Sequence, residues 1–115
     1  MRVLVCGSRY FDNEPFIFDE LRKLPEGTTI ISGGATGADS IAHKFAKLNE
    51  YPVKVFQAEW SKYGRAAGPI RNQKMLDEGK PDLVLAFFKE KYSAGTVDMV
   101  SRAREAGVEV KEFIV

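Results

Sequence analysis

Short apolar runs that end in glycine or polar turns, and pass straight into amphipathic helices, constrain this chain more than any other feature. The clearest instance is Thr29-Ile30-Ile31-Ser32-Gly33-Gly34-Ala35-Thr36-Gly37-Ala38-Asp39-Ser40. The β-branched residues predict a strand over 28–32. Ala38, Ile41, Ala42, Phe45 and Ala46 recur at i, i+3, i+4, i+7 and i+8, which predicts a helix running to about residue 49. A strand feeding a helix through glycines leaves N–H groups at a helix N-terminus, where the dipole favours an anion. Gly33, Gly34 and Gly37 let a ligand reach the main chain without a Cβ in the way. The spacing is neither G-x-G-x-x-G nor the P-loop, because no Gly-Lys-Ser/Thr follows. A purely structural account competes on equal terms. Thr36 and Asp39 form an [ST]-x-x-[DE] capping box, and the glycines make a tight turn.

The pattern repeats along the chain. Residues 1–6 read as a strand apolar at consecutive positions, as in a parallel sheet covered on both faces. Asn13 and Pro15 start a helix read over 16–24, with Ile17, Leu21 and Leu24 on one side. A third strand is expected over 52–56, an irregular connection over 61–67, and a helix over 68–78 stopped by Gly79. Residues 83–88 are a fourth strand. Ser93-Ala94-Gly95-Thr96 opens a last helix with Val97, Val100, Ala103 and Gly107 as its apolar stripe, and 108–115 form a fifth strand. Strands alternating with helices predict an α/β fold, a Rossmann-like doubly wound parallel five-stranded sheet with helices on both faces. With 115 residues the chain fits a single domain.

Composition removes some classes of function. Lys and Arg number 17 against 16 Asp and Glu, a net charge of +1, so no global field recruits nucleic acid or an anionic membrane. No apolar run approaches the ~18 residues of a membrane span and no signal-peptide pattern opens the chain. These features lead to the expectation of a cytoplasmic protein with no membrane partner. The single cysteine, Cys6, lies in an apolar run and is expected as a buried thiol. One histidine and no clustered cysteines fall short of the usual metal-ligand sets, so no metal is expected. That histidine, His43, lies off its helix's apolar stripe and reads as solvated.

In a doubly wound sheet the loops at the carboxyl ends of the strands face one crevice. The first strand delivers Gly7, Ser8 and Arg9 there, and the second delivers Ser32, Gly33, Gly34, Thr36, Gly37 and Asp39. The third delivers Glu59 and Trp60, leading to Gly68, Arg71 and Asn72, and the fourth delivers Gly95 and Thr96. Arg9 and Arg71 suit bidentate phosphate contacts, and the helix starts at Gly37 and Thr96 offer amides. An arginine in a helix's first turn opposes the dipole, which favours a binding role for Arg71. Trp60 suits either stacking on a base or covering the edge of the core. Asp39 is assigned to ribose or to capping, because a carboxylate repels phosphate. Together these residues imply a nucleotide pocket. Residues 89–92, Lys-Glu-Lys-Tyr, read as a solvated loop able to act as a lid.

Four motifs occur in order: Gly7-Ser8-Arg9-x-Phe11, Ser32-Gly33-Gly34-Ala35-x-Gly37-Ala38-Asp39, Trp60-x-x-x-Gly64-Arg65-Ala66-Ala67-Gly68-Pro69-Ile70-Arg71-Asn72-x-x-Met75 and Gly95-Thr96-x-Asp98-Met99. Across nearly the whole chain this set resembles the YspA-like, cpYpsA-related branch of the SLOG superfamily, which also contains DprA/Smf and the LOG phosphoribohydrolases. The resemblance implies a Rossmann-like fold, a nucleotide or ADP-ribose-like ligand rather than a fixed cofactor, and a role as a sensor or sequestering module. It also implies self-association as a homo-oligomer, and suits a phage or bacterial accessory gene. LOG-type hydrolases carry Pro-Gly-Gly-x-Gly-Thr-x-x-Glu. Aligned on Gly95-Thr96, this chain has Ser93 at the second glycine and Met99 at the glutamate. A thioether moves no proton, so the resemblance argues against LOG-type cleavage. The alternative function is a nucleotide N-glycosidase using Asp39, Glu59 or Asp98 as its carboxylate. A second alternative is DprA-like binding of single-stranded DNA, which the even charge balance disfavours.

Overall fold

The computed structural model describes residues 1–89 and 93–114; residues 90–92, which make up all but the first residue of the 89–92 loop read above as a lid, and Val115 lie outside the described residues. Five strands, β1 (Arg2–Gly7), β2 (Thr29–Ser32), β3 (Val53–Val55), β4 (Leu83–Phe88) and β5 (Glu109–Ile114), form one sheet in the order β3-β2-β1-β4-β5. Every pairing is parallel, with Val3 opposite both Ile30 and Leu83. The helices are α1 (Glu14–Arg22), α2 (Ala38–Leu48), α3 (Trp60–Tyr63), α4 (Ala67–Asp77) and α5 (Ala94–Glu105).

Alternation along the strands builds two cores. Val3, Val5, Leu85 and Phe87 point to one face and pack with Ile17, Leu21, Ala42 and Phe45 of α1 and α2. Leu4, Cys6, Val84, Ala86 and Phe88 point to the other and pack with Met75, Met99, Val100 and Ala103 of α4 and α5. Successive side chains on a strand leave opposite faces, so an unbroken apolar run supplies both cores at once. The doubly wound expectation is met. No described helix is long and apolar enough to cross a membrane.

The elements depart from the sequence reading in instructive places. Residues 60–66 are not irregular: α3 passes into a short 3₁₀ turn, Gly64–Ala66, and then directly into α4. Helix α1 starts two residues early, because the Asn13 side chain caps it by accepting from the Phe16 amide at 3.2 Å. The buried stripe of α5 is Thr96, Met99, Val100 and Ala103, while Val97 is exposed. Thr96 escapes a search for apolar residues, but a 2.7 Å bond between the Ser93 and Thr96 hydroxyls satisfies it inside. Gly107 is not part of the stripe. It follows the helix at φ 78°, its amide donating to the Arg104 carbonyl and that of Val108 to Ala103, a Schellman ending.

The chain builds β1, β2 and β3 outward in one direction, then returns to lay β4 on the other side of β1. The strand order reverses between β1 and β4, so a crevice opens at their carboxyl ends.

Candidate functional site

The loop after β1 seats itself on the start of α2. A Cβ on Gly7 would collide with the Phe87 carbonyl and the Ala38 side chain. The Ser8 amide donates to the Phe87 carbonyl at 2.9 Å, and the Ser8 carbonyl accepts from Phe11 at 3.1 Å and Ala38 at 3.2 Å. Gly37 has φ 75°, and a Cβ there would strike the Ser8 and Arg9 carbonyls. The N-terminus of α2 is therefore covered by protein, with its Ala38 amide already bonded.

This closes off part of the cradle expected at 33–37. Asp39 Oδ2 accepts from the amides of Gly33 at 3.1 Å and Ala35 at 3.2 Å, and Ser32 Oγ accepts from Gly34 at 3.3 Å. Three of the amides expected to hold an anion thus hold the loop's own side chains. The capping box does not form either. Gly37 is the N-cap, without a side-chain cap, and the Thr36 hydroxyl instead donates to the Arg9 carbonyl at 3.4 Å. Asp39 sits inside the helix and reaches back into the loop, which the [ST]-x-x-[DE] spacing cannot distinguish from capping.

A second polar network joins this loop to α4 and α5. Arg71 lies in the second turn of α4 rather than the first. Its Nη1 donates to the Gly33 carbonyl at 2.7 Å and its Nε to Asn72 Oδ1 at 3.0 Å. Asn72 Nδ2 donates to the Gly95 carbonyl at 3.2 Å and to Asp98 Oδ2 at 3.0 Å. Arg102 Nε meets that same oxygen at 2.9 Å, and its Nη1 reaches Gln73 at 3.0 Å. Arg71 and Asn72 are braces as well as pocket residues.

Between the two networks lies a cleft with two lobes. The inner lobe, about 260 Å³, runs over Gly7, Ser8, Gly33, Asp39 and Thr96 with Cys6, Met75 and Met99 at its floor. The outer lobe, about 570 Å³, is bounded by Thr36, Trp60, Gly68, Pro69 and Asp98. Arg9, Arg71, Asn72 and Gly95 line both. Most of the residues singled out by sequence therefore meet in one place. Ser32, Gly34, Gly37 and Glu59 do not. Ser32 and Gly34 border a shallower hollow beside His43 and Lys47 instead, Gly37 is packed under the first loop, and Glu59 is exposed at the start of α3. Trp60 is 60% exposed, so it stands at the rim and does not cover the core. Tyr10, in the inner lobe and 74% exposed, was not apparent from the sequence. Its place directly after Gly7-Ser8-Arg9 was the available signal.

The electrostatics differ sharply among the ionisable groups. Burial is the main cause that raises the Asp39 pKa from 3.8 to about 6, opposed by the Ala35 amide, the Arg71 charge and the Gly33 amide. Burial pushes the Cys6 thiol far up, and nearby Asp39 adds to it, so Cys6 is no nucleophile at neutral pH. At Asp98 burial works upward, but hydrogen bonds from Arg102 and Asn72 and the Arg102 charge outweigh it and hold the carboxyl below its ordinary value. Arg9 is exposed, and its guanidinium has no hydrogen-bond partner among the described residues. The N-terminus of α5 carries no side-chain cap. Among the described residues no group of three potential metal ligands comes together.

The profile of YAcAr, the YspA, cpYpsA-related SLOG family, matches residues 1–63. The chain belongs to this family. It is also 35% identical over 122 residues to the gene 61 protein of Mycobacterium phage D29, an alignment covering 97% of this chain and 95% of the phage protein. The family match takes in β1 through α3, and so the first two loops of the SLOG cleft. The likeness to the phage protein runs on across α4 and α5. At the position where the LOG motif has its glutamate, this SLOG chain buries Met99 in the core beneath the inner lobe.

Proposed function

We propose that this SLOG-family chain binds a nucleotide or an ADP-ribose-like derivative in the cleft at the carboxyl edge of its sheet, as a sensor or sequestering module. The observation that carries this reading is the position of Arg9. An unengaged guanidinium stands at the wall shared by both lobes, beside the uncapped N-terminus of α5. A guanidinium fork and free helix amides both favour phosphate. The phosphate contacts move away from 33–37, whose amides are largely engaged, toward Arg9 and the 94–96 turn. Exposed Trp60 and Tyr10 offer planar faces for a base, and family membership supports a nucleotide-related ligand.

Binding without turnover is favoured over hydrolysis. Met99 supplies no carboxylate, Asp39 is tied to two amides, and Glu59 stands outside the cleft. Asn72 and Arg102 hold Asp98 below its ordinary pKa, so it carries no proton to give a leaving base. Calorimetric titration with AMP, ADP-ribose, NAD and cyclic ADP-ribose, followed by chromatography of each mixture, tests this. Tight binding of one compound, recovered intact, is the expected outcome. Release of free base or ribose phosphate would make the chain a hydrolase. If no compound binds, and single-stranded DNA binds with a steep fall in affinity as salt rises, the small-ligand reading gives way to a DNA-binding one.

A further inference from the structure

We propose that the outer lobe receives the ribose of the ligand, with Asp98 Oδ1 accepting from its 2′,3′-diol, so that the cleft selects ribonucleotides over 2′-deoxyribonucleotides. The inference rests on the nucleotide reading above and adds a chemical class to it. Among the described residues, Asp98 is the one carboxylate that lines the outer lobe. Its Oδ2 already accepts from Asn72 and Arg102, while Oδ1 has no donor among the described residues. Of the other acidic candidates, Asp39 also keeps one oxygen without a donor among the described residues, but it is buried, is anchored through Oδ2 to the Gly33 and Ala35 amides, and lines the inner lobe and not the outer one. Glu59 lies elsewhere. The paired donors on Oδ2 fix the carboxylate plane, which leaves Oδ1 a preset acceptor rather than a mobile one.

The surroundings leave room for a sugar. Gly68 and Gly95 both border the outer lobe, and neither has a positive φ. A Cβ on Gly95 would meet nothing within 4 Å, and one on Gly68 would make only an ordinary 3.5 Å contact with the Trp60 ring. Neither glycine is required by backbone conformation or packing, and glycine weakens a helix, so the space is what their absent side chains supply. Asp98 lies one turn along α5 from Ala94 and Gly95, on the same side of the helix. A phosphate at the α5 N-terminus therefore places its attached sugar beside this carboxylate, in the lobe that Trp60 also lines.

The test compares ADP with 2′-deoxy-ADP and 3′-deoxy-ADP by calorimetry, on the wild-type chain and on Asp98→Asn. Wild type is expected to bind ADP about tenfold or more tightly than 2′-deoxy-ADP, since a hydrogen bond to a charged acceptor is lost. In Asp98→Asn the side-chain oxygen must serve Asn72 and Arg102, which turns an amide donor toward the sugar. ADP affinity should fall about tenfold, and the gap between ADP and its deoxy forms should close to under twofold. Equal affinity of wild type for ADP and both deoxy forms would overturn the ribose assignment while leaving the nucleotide reading intact. Failure of wild type to bind any nucleotide would overturn both. The wild-type comparison decides even if the variant does not fold.

Discussion

At the residue scale, the two arginines that look equivalent in sequence do different work. Arg9 is exposed and unengaged, so Arg9→Ala should leave stability within ~0.5 kcal/mol of wild type while weakening nucleotide binding tenfold or more. Arg71 holds the Gly33 carbonyl and Asn72. Arg71→Ala leaves that carbonyl without its partner and should lower the unfolding free energy by about 1–3 kcal/mol in the absence of any ligand. Urea titration of both variants separates the roles; equal stabilities would contradict the bracing role. Asp39 makes a prediction in pH. Its folded-state pKa of about 6 lies above the ordinary 3.8, so the folded chain keeps the proton longer than the unfolded chain. The stabilising contribution is full below about 3.8 and is lost as pH rises through about 6, a change of about 3 kcal/mol. Asp98, whose pKa is lowered, contributes in the opposite sense but is common to wild type and variant. The stability difference between wild type and Asp39→Asn should therefore shift against wild type between pH 4 and pH 7.5. A difference independent of pH would show that Asp39 titrates normally.

At the scale of the element, apolar periodicity located the strands and helices, and hydrogen bonding set their ends. The stripe of α2 was legible because Ala38, Ala42, Phe45 and Ala46 are all apolar and all buried. That of α5 was not, because its buried face includes a threonine and its apparent face includes an exposed valine. Residues 60–66 lack any apolar period, yet they form two helical turns through local hydrogen bonds alone, with the amides of Lys62 and Tyr63 donating to the Glu59 carbonyl at 3.0 Å. Gly107 shows how an ending is enforced. At φ 78° it occupies a conformation that costs other residues about 1–2 kcal/mol. A Cβ there meets nothing within 4 Å, so Gly107→Ala should lower stability by roughly 1 kcal/mol through backbone conformation alone. Thermal unfolding measures this, and an unchanged midpoint would mean that the ending relaxes at no cost.

At the scale of the whole molecule, the sheet carries a core on each face and the cleft on its carboxyl edge. Phe87 links the fold to the site: it stacks on Phe113 with ring centres 5.0 Å apart and meets Phe11 edge-on at 5.7 Å, while its carbonyl holds the Ser8 amide. Phe87→Ala should cost about 3–5 kcal/mol, a large share of the ~5–15 kcal/mol that holds a domain of this size together. Chemical unfolding should show a correspondingly lower midpoint, and a loss below ~1 kcal/mol would mean that the aromatic cluster repacks. The sequence by itself determined the alternation of strands and helices, the two-sided burial of the sheet, and the loops that carry the site. Those properties follow from local periodicity and from the backbone freedom of glycine, both of which act between near neighbours in the chain. Only the tertiary structure decided the strand order, and with it the crevice between β1 and β4. It also decided that the 33–35 amides are bonded to Asp39 and Ser32, that Arg71 braces the Gly33 carbonyl, and that Asp98 keeps one oxygen open. Each of these is a choice of hydrogen-bond partner. Apart from the short-range bonds within 32–39 and the Arg102–Asp98 pair one turn apart on α5, the partners lie far apart in sequence, as Arg71 does from Gly33 and Asn72 from Asp98. Such choices are made only when packing brings the elements together and every buried polar group must find the partner within reach.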